Sequence, residues 1–155
     1  MQLQLTYPRY KNLFVYADKP VVYLAHVDAV RPIYKYGITQ DIYGRIESHR
    51  KTFPVFDLEH VRVSHNRDVV ERMFGQECRY LGIRHGGMFD GRFQRELLCL
   101  HDEGDLPKIK ALIDEIIEYV EITDHVGKTD DANHARPIRV GMKTPLRFIN
   151  AHNAP

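Results

Sequence analysis

Tyr23, Lys35, Arg45, His49 and Glu71 are side chains whose types and spacing could carry a reaction. Hydrolysis of a phosphodiester asks for an activated water, positive charge on the phosphoryl oxygens and help for the departing oxygen. A phenol or an amine assists deprotonation, a guanidinium or imidazole holds phosphate, and a carboxylate holds one magnesium ion. Arg45 and His49 lie four positions apart, so on a helix they share a face. Lys35 stands between Tyr34 and Tyr36, and in a strand it points away from both. If the two tyrosines form one face, Lys35 reaches the other, where it could meet Arg45 and His49. Glu71 falls about one turn into a second helical segment, and Glu96 is a further carboxylate downstream.

The elements that must position these groups are legible in part. Residues 1–20 carry scattered aromatics between prolines and read as an arm, with a short strand near residues 13–16. The β-branched and aromatic run at 21–27 is a strand, and 33–38 supplies a second. Thr39 or Asp41 can cap a helix over 42–51 with Ile42 and Ile46 inward, and Phe53-Pro54 stops it. Residues 56–64 read as a third strand, followed by a helix over 69–81 capped by Asp68 and ending near Gly82. His85-Gly86-Gly87 reads as a loop, with a short element around 96–100. Asp105 and Pro107 open the clearest helix, whose Ile109, Leu112, Ile113, Ile116 and Val120 form a core-facing stripe. After Thr123 the chain turns polar. The expectation is α+β: a small three-stranded sheet, mixed or antiparallel, with helices packed around it in one layer.

In order and spacing, Val22-Tyr23, Tyr34-Lys35-Tyr36-Gly37-Ile38-Thr39, Arg45, His49 and Glu71 resemble a GIY-YIG nuclease domain. Tyr23 matches the tyrosine of the first motif and Gly37 the glycine of the second. Arg45 follows eight residues on and His49 four later, and Glu71 matches the metal-binding glutamate of the family's next helix. The second motif's tyrosine lies two before the glycine, where this chain has Lys35. A compact branch, frequent in phages and large DNA viruses, reads Tyr-Lys-aliphatic-Gly there. Arg95-Glu96 also fits that branch, although Leu97 stands where an aromatic often follows, and Gly75 stands where the branch commonly has histidine.

The resemblance covers roughly residues 21–100 and implies that these groups converge on one shallow face. It implies a magnesium-dependent (or manganese-dependent) DNA endonuclease, with Tyr23, Lys35, Arg45 and His49 catalytic and Glu71 on the metal. Glu96 and Tyr36 are additional site residues, and Glu77 is the alternative ligand. The competing expectation is a weak or inactive module that binds nucleic acid through the same fold. Residues 1–20 would be an arm, 21–100 the nuclease-like domain, and 101–155 a helix and tail packed on it.

Bulk properties exclude more than they assign. The 155 residues suit one domain, and a formal net charge of +1 gives no general case for nucleic acid. Charge is uneven: residues 31–51 hold five basic side chains against two acidic, and 101–125 hold two against eight. Cys78 and Cys99 sit among apolar residues, far from any zinc spacing, and read as reduced thiols. No apolar run suits a signal peptide or a membrane span, which points to a soluble protein of the cytoplasm or nucleus, in keeping with an infected cell.

Overall fold

A computed structural model describes residues 13–89 and 91–126, the side chains of 124–126 excepted. The elements in chain order are β1 (Val21–His26), β2 (Ile33–Thr39), α1 (Ile42–Arg50), β3 (Asp57–Val63), α2 (Arg67–Tyr80), β4 (Arg84–Phe89), β5 (Arg92–Cys99) and α3 (Leu106–Val126). The class is α+β. The strands form one sheet in the order β3-β1-β2-β5-β4, and every neighbouring pair is antiparallel.

Strand alternation divides the core into two faces. Val22, Leu24, Tyr34, Tyr36 and Leu98 point to one side, where Val70, Phe74 and Cys78 of α2 and the apolar stripe of α3 cover them. Val21, Tyr23, Ala25, Ile33 and Leu97 point to the other side, against Ile42 and Ile46 of α1 and the Phe53 and Phe56 rings. The sheet is therefore buried between two helical layers, not flanked in one. All five residues of the α3 stripe are buried, and Asp114 on α3 accepts from Arg62 and pairs with His60 of β3. No helix among the described residues is long and apolar enough to cross a membrane.

Several expectations need correction. Five strands replace three, because residues 84–99 form a hairpin where a loop and a short element are expected. Gly86 and Gly87 disguise β4, and Leu97 and Leu98, both fully buried, anchor β5 on opposite faces. Tertiary pairing outweighs propensity here. Residues 13–16 make a single 3-10 turn instead of a strand, with Leu13 buried. Asp41 caps α1, its Oδ1 accepting from the Gly44 N–H at 3.0 Å. Asp68 does not cap α2; Asn66 holds that position without a side-chain bond, and Asp68 lies in the first turn. Gly82 stops α2 as expected, at φ +74°, with the Ile83 N–H reaching back to the Cys78 carbonyl. Both cysteines are free, Cys78 buried and Cys99 only half-buried. The tail beyond residue 126 and the arm before residue 13 lie outside the described residues.

Candidate active site

The site forms where β2 loses a neighbour. β1 pairs with β2 from Val21↔Thr39 to His26↔Tyr34, whereas β5 pairs only with Ile33, Tyr34 and Lys35. From Tyr36 onward, no described strand borders β2 on that side. Side chains from both faces of the sheet can meet around this open edge.

Tyr23 comes from β1, opposite Gly37 of β2. Its ring crosses directly over that glycine: a Cβ on Gly37 would lie 2.6 Å from the Tyr23 hydroxyl. The hydroxyl is 2.9 Å from His49 Nε2 on α1, a bond between residues 26 apart in sequence. Phe56 stacks on the imidazole at 5.1 Å between centroids, and Phe53 meets it edge-on. These two rings fix the histidine. Sequence reading treats Phe53-Pro54 only as a helix stop, and aromatic spacing alone could not reveal the clamp. Replacing Gly37 by alanine should push the Tyr23 ring aside, break the bond to His49 and cost about 1–3 kcal/mol of stability through overpacking. Chemical denaturation of the two proteins measures this, and an unchanged midpoint would contradict it.

Lys35 points away from Tyr34 and Tyr36, as strand parity requires, and is buried. Its Nζ donates to Glu96 Oε2 at 2.6 Å, a partner that sequence spacing does not identify. A β-bulge explains the partner. His85 faces Leu97 and Gly87 faces Gln94, so Arg95 and Glu96 together stand opposite Gly86. The extra residue bends the strand locally at the open edge, where the Glu96 carboxylate, itself partly exposed, meets Lys35.

Arg45 projects from the exposed side of α1. Glu71 is half-buried on α2, in the electrostatic field of Glu96, Lys35 and Arg45. Burial first, then the Glu96 charge, raises its carboxyl above the ordinary range, with Lys35 and Arg45 pulling the other way. Burial likewise pushes the Tyr23 phenol well up, against a lowering pull from Arg45, so the phenol is protonated at neutral pH. His49 is held down to about 4 by burial and then by the Lys35 and Arg45 charges, and is neutral. With its proton on Nδ1, Nε2 accepts from the Tyr23 O–H. Tyr23, Lys35, Arg45, His49, Glu71 and Glu96 thus share one electrostatic neighbourhood.

Tyr36 stands apart. It packs edge-on against Phe74, and burial pushes its phenol up to about 12. Its hydroxyl would lie 2.8 Å from a Cβ on Gly75. That close approach gives a physical reason for glycine at the position where the compact branch has histidine: Tyr36 occupies the space. Glu77, the alternative ligand, is buried beside Cys78.

Magnesium keeps several waters and needs only one or two protein carboxylates. Glu71 and Glu96 fit that demand, since their mutual repulsion is the kind a bound cation relieves. Among the described residues no group of three or more His, Cys, Asp or Glu surrounds a common point, so water would supply most ligands. No family model, curated protein or solved structure matches the chain.

Proposed function

We propose that this chain is a GIY-YIG-type endonuclease that hydrolyses DNA phosphodiester bonds with magnesium. The observation that carries the reading is the Tyr23–His49 hydrogen bond across Gly37, which joins both motifs to the helix that presents Arg45. A water at the open edge attacks phosphorus as its proton passes to the Tyr23 oxygen and Tyr23 passes its own to His49 Nε2. The P–O bond to the leaving group breaks, and the departing oxygen takes a proton from solvent. Arg45 holds the phosphoryl oxygens through charge-assisted bonds. Lys35 orients Glu96, and its charge adds to the burial that already holds His49 neutral. Glu71, with Glu96 as a second carboxylate, would hold magnesium, which would supply charge neutralisation for the phosphoryl group and the departing oxygen.

Incubation with supercoiled plasmid and magnesium tests this. The chain should nick the plasmid, EDTA should stop it, and Arg45→Ala should slow it by about a hundredfold or more. Equal nicking by Arg45→Ala would remove that arginine from the mechanism; no nicking at all would leave the second reading.

That second reading is a module that binds nucleic acid without cutting it. The burial of Tyr23 and Lys35, 2% and 4% exposed, favours it, because both groups are largely shielded from solvent. In that case Arg45→Ala should weaken salt-sensitive DNA binding only modestly, because it would be one phosphate ligand among several.

A further inference from the structure

From Glu71, α2 continues through Gly75 to Arg79 in steps of four, so the three residues share a helix face. The helical rise sets Arg79 about 12 Å beyond Glu71. There an open depression of about 350 Å³ lies between α2 and the β4–β5 hairpin, lined by Arg79, Arg84, His85, Gly86, Phe93 and Arg95. Three guanidiniums and an imidazole line it, and among the described residues no carboxylate does.

The depression adjoins the candidate active site at two places. Arg84 Nη1 comes within 3.6 Å of where a Cβ on Gly75 would sit, beside the Tyr36 hydroxyl. Arg95 is the other residue of the bulge that carries Glu96. At its outer rim Phe93 is 60% exposed, with its ring tip against Gly86. Its cross-strand partner Met88 is also exposed, so the two form an apolar shelf beside the arginines.

Clustered guanidiniums recognise phosphate, and an exposed aromatic beside them offers a stacking face to a base. In a duplex the base faces are covered by neighbouring bases; in a single strand they are free. We infer that this depression binds a phosphate and an unpaired base of a single-stranded DNA segment. The site rests on the endonuclease reading only for its role, which is to hold the strand a few nucleotides from the cleaved bond. A strand advancing about 3.4 Å per nucleotide covers the 12 Å in roughly three or four nucleotides, fewer if extended. The favoured substrate is therefore DNA with a frayed or single-stranded arm beside the junction.

Fluorescence anisotropy of the full chain in EDTA tests the site without any reaction. The probes are a labelled oligothymidylate and a blunt duplex of the same length. The double variant Arg79→Ala/Arg95→Ala should bind oligothymidylate about tenfold more weakly or worse, with a salt slope shallower by roughly 0.7 for each phosphate no longer neutralised. Phe93→Ala should weaken oligothymidylate about tenfold and leave duplex binding nearly unchanged. Circular dichroism confirms that each variant is folded; Gly86→Ala, which displaces the Phe93 ring without removing it, provides a second variant should Phe93→Ala misfold. Wild-type affinity in the variants overturns the proposal. So does equal loss on both probes, or polyglutamate competing as well as oligothymidylate. Plasmid nicking is scored separately: nicking with no effect of these variants on oligothymidylate sinks this site alone. Their expected effects in a chain that never nicks sink the endonuclease alone.

Discussion

Replacing Glu71 by glutamine should reduce magnesium-dependent nicking by about a thousandfold while leaving the fold equally stable or slightly more so. The loss follows from the role proposed for the carboxylate: glutamine is isosteric but neutral, and a cation stripped of its charged ligand no longer offsets phosphoryl charge. The stability follows from the opposite side of the same chemistry. Burial and Glu96 raise the folded-state pKa of Glu71 above its unfolded value. Such a carboxyl contributes stability only where it is protonated, below the unfolded pKa, and that contribution is lost as pH rises through the folded pKa. Wherever Glu71 is ionised in the fold it is therefore a liability that glutamine removes. Plasmid nicking with magnesium and thermal denaturation of both proteins measure the two effects. Wild-type nicking by Glu71→Gln would end the metal role, and a large fall in the thermal midpoint would make the residue structural.

Tyr23→Phe carries the second large effect. The ring keeps its packing against Phe56, but the hydroxyl that bonds His49, and that would link water to it in the proposed mechanism, is gone. Nicking should fall by about a hundredfold to ten-thousandfold, the usual worth of a positioned acid or base. Stability should fall by about 1–3 kcal/mol, because a half-buried His49 loses its partner. Plasmid nicking and chemical denaturation read the two, and full activity in Tyr23→Phe would take the phenol out of the proton path.

The pH dependence separates His49 from its surroundings. Its folded pKa of about 4 lies below the unfolded 6.5, so the neutral form is favoured in the fold. The unfolded chain takes up the proton first as pH falls. The contribution is fully present above pH 6.5 and is lost between 6.5 and 4. After discounting for solvent screening it amounts to about 1–2 kcal/mol. Glu71 acts the other way above its unfolded value of 4.5, so the net slope is gentlest there. His49→Gln should flatten the wild-type rise between pH 4.5 and 6.5 in denaturant titrations; an unaltered slope would mean that His49 is not held neutral.

Much of the fold was legible because local chemistry and final structure agree. The α3 stripe from Ile109 to Val120 repeats at helical spacing and is buried, and the run from Val21 forms a strand as its β-branched residues suggest. The hairpin of β4 and β5 was not legible. Its Gly86-Gly87 pair has turn chemistry, and its stability comes from partners distant in the chain. Among the site residues, the shared helix face of Arg45 and His49 and the sidedness of Lys35 follow from periodicity. The Lys35–Glu96 pair does not, because it joins residues 61 apart through the pairing of β2 with β5 and a bulge that sequence does not announce.

That bulge makes chain length a determinant of this surface as much as residue type. Past it, Phe93 faces α2 and Phe89 packs toward Phe53 on the α1 side. A chain one residue shorter at Arg95 would lose the bulge, and with it both the Arg95 guanidinium and the local bend beside Glu96. The aromatic shelf and the Glu96 carboxylate are thus set along β5 by a single inserted residue that lies between them.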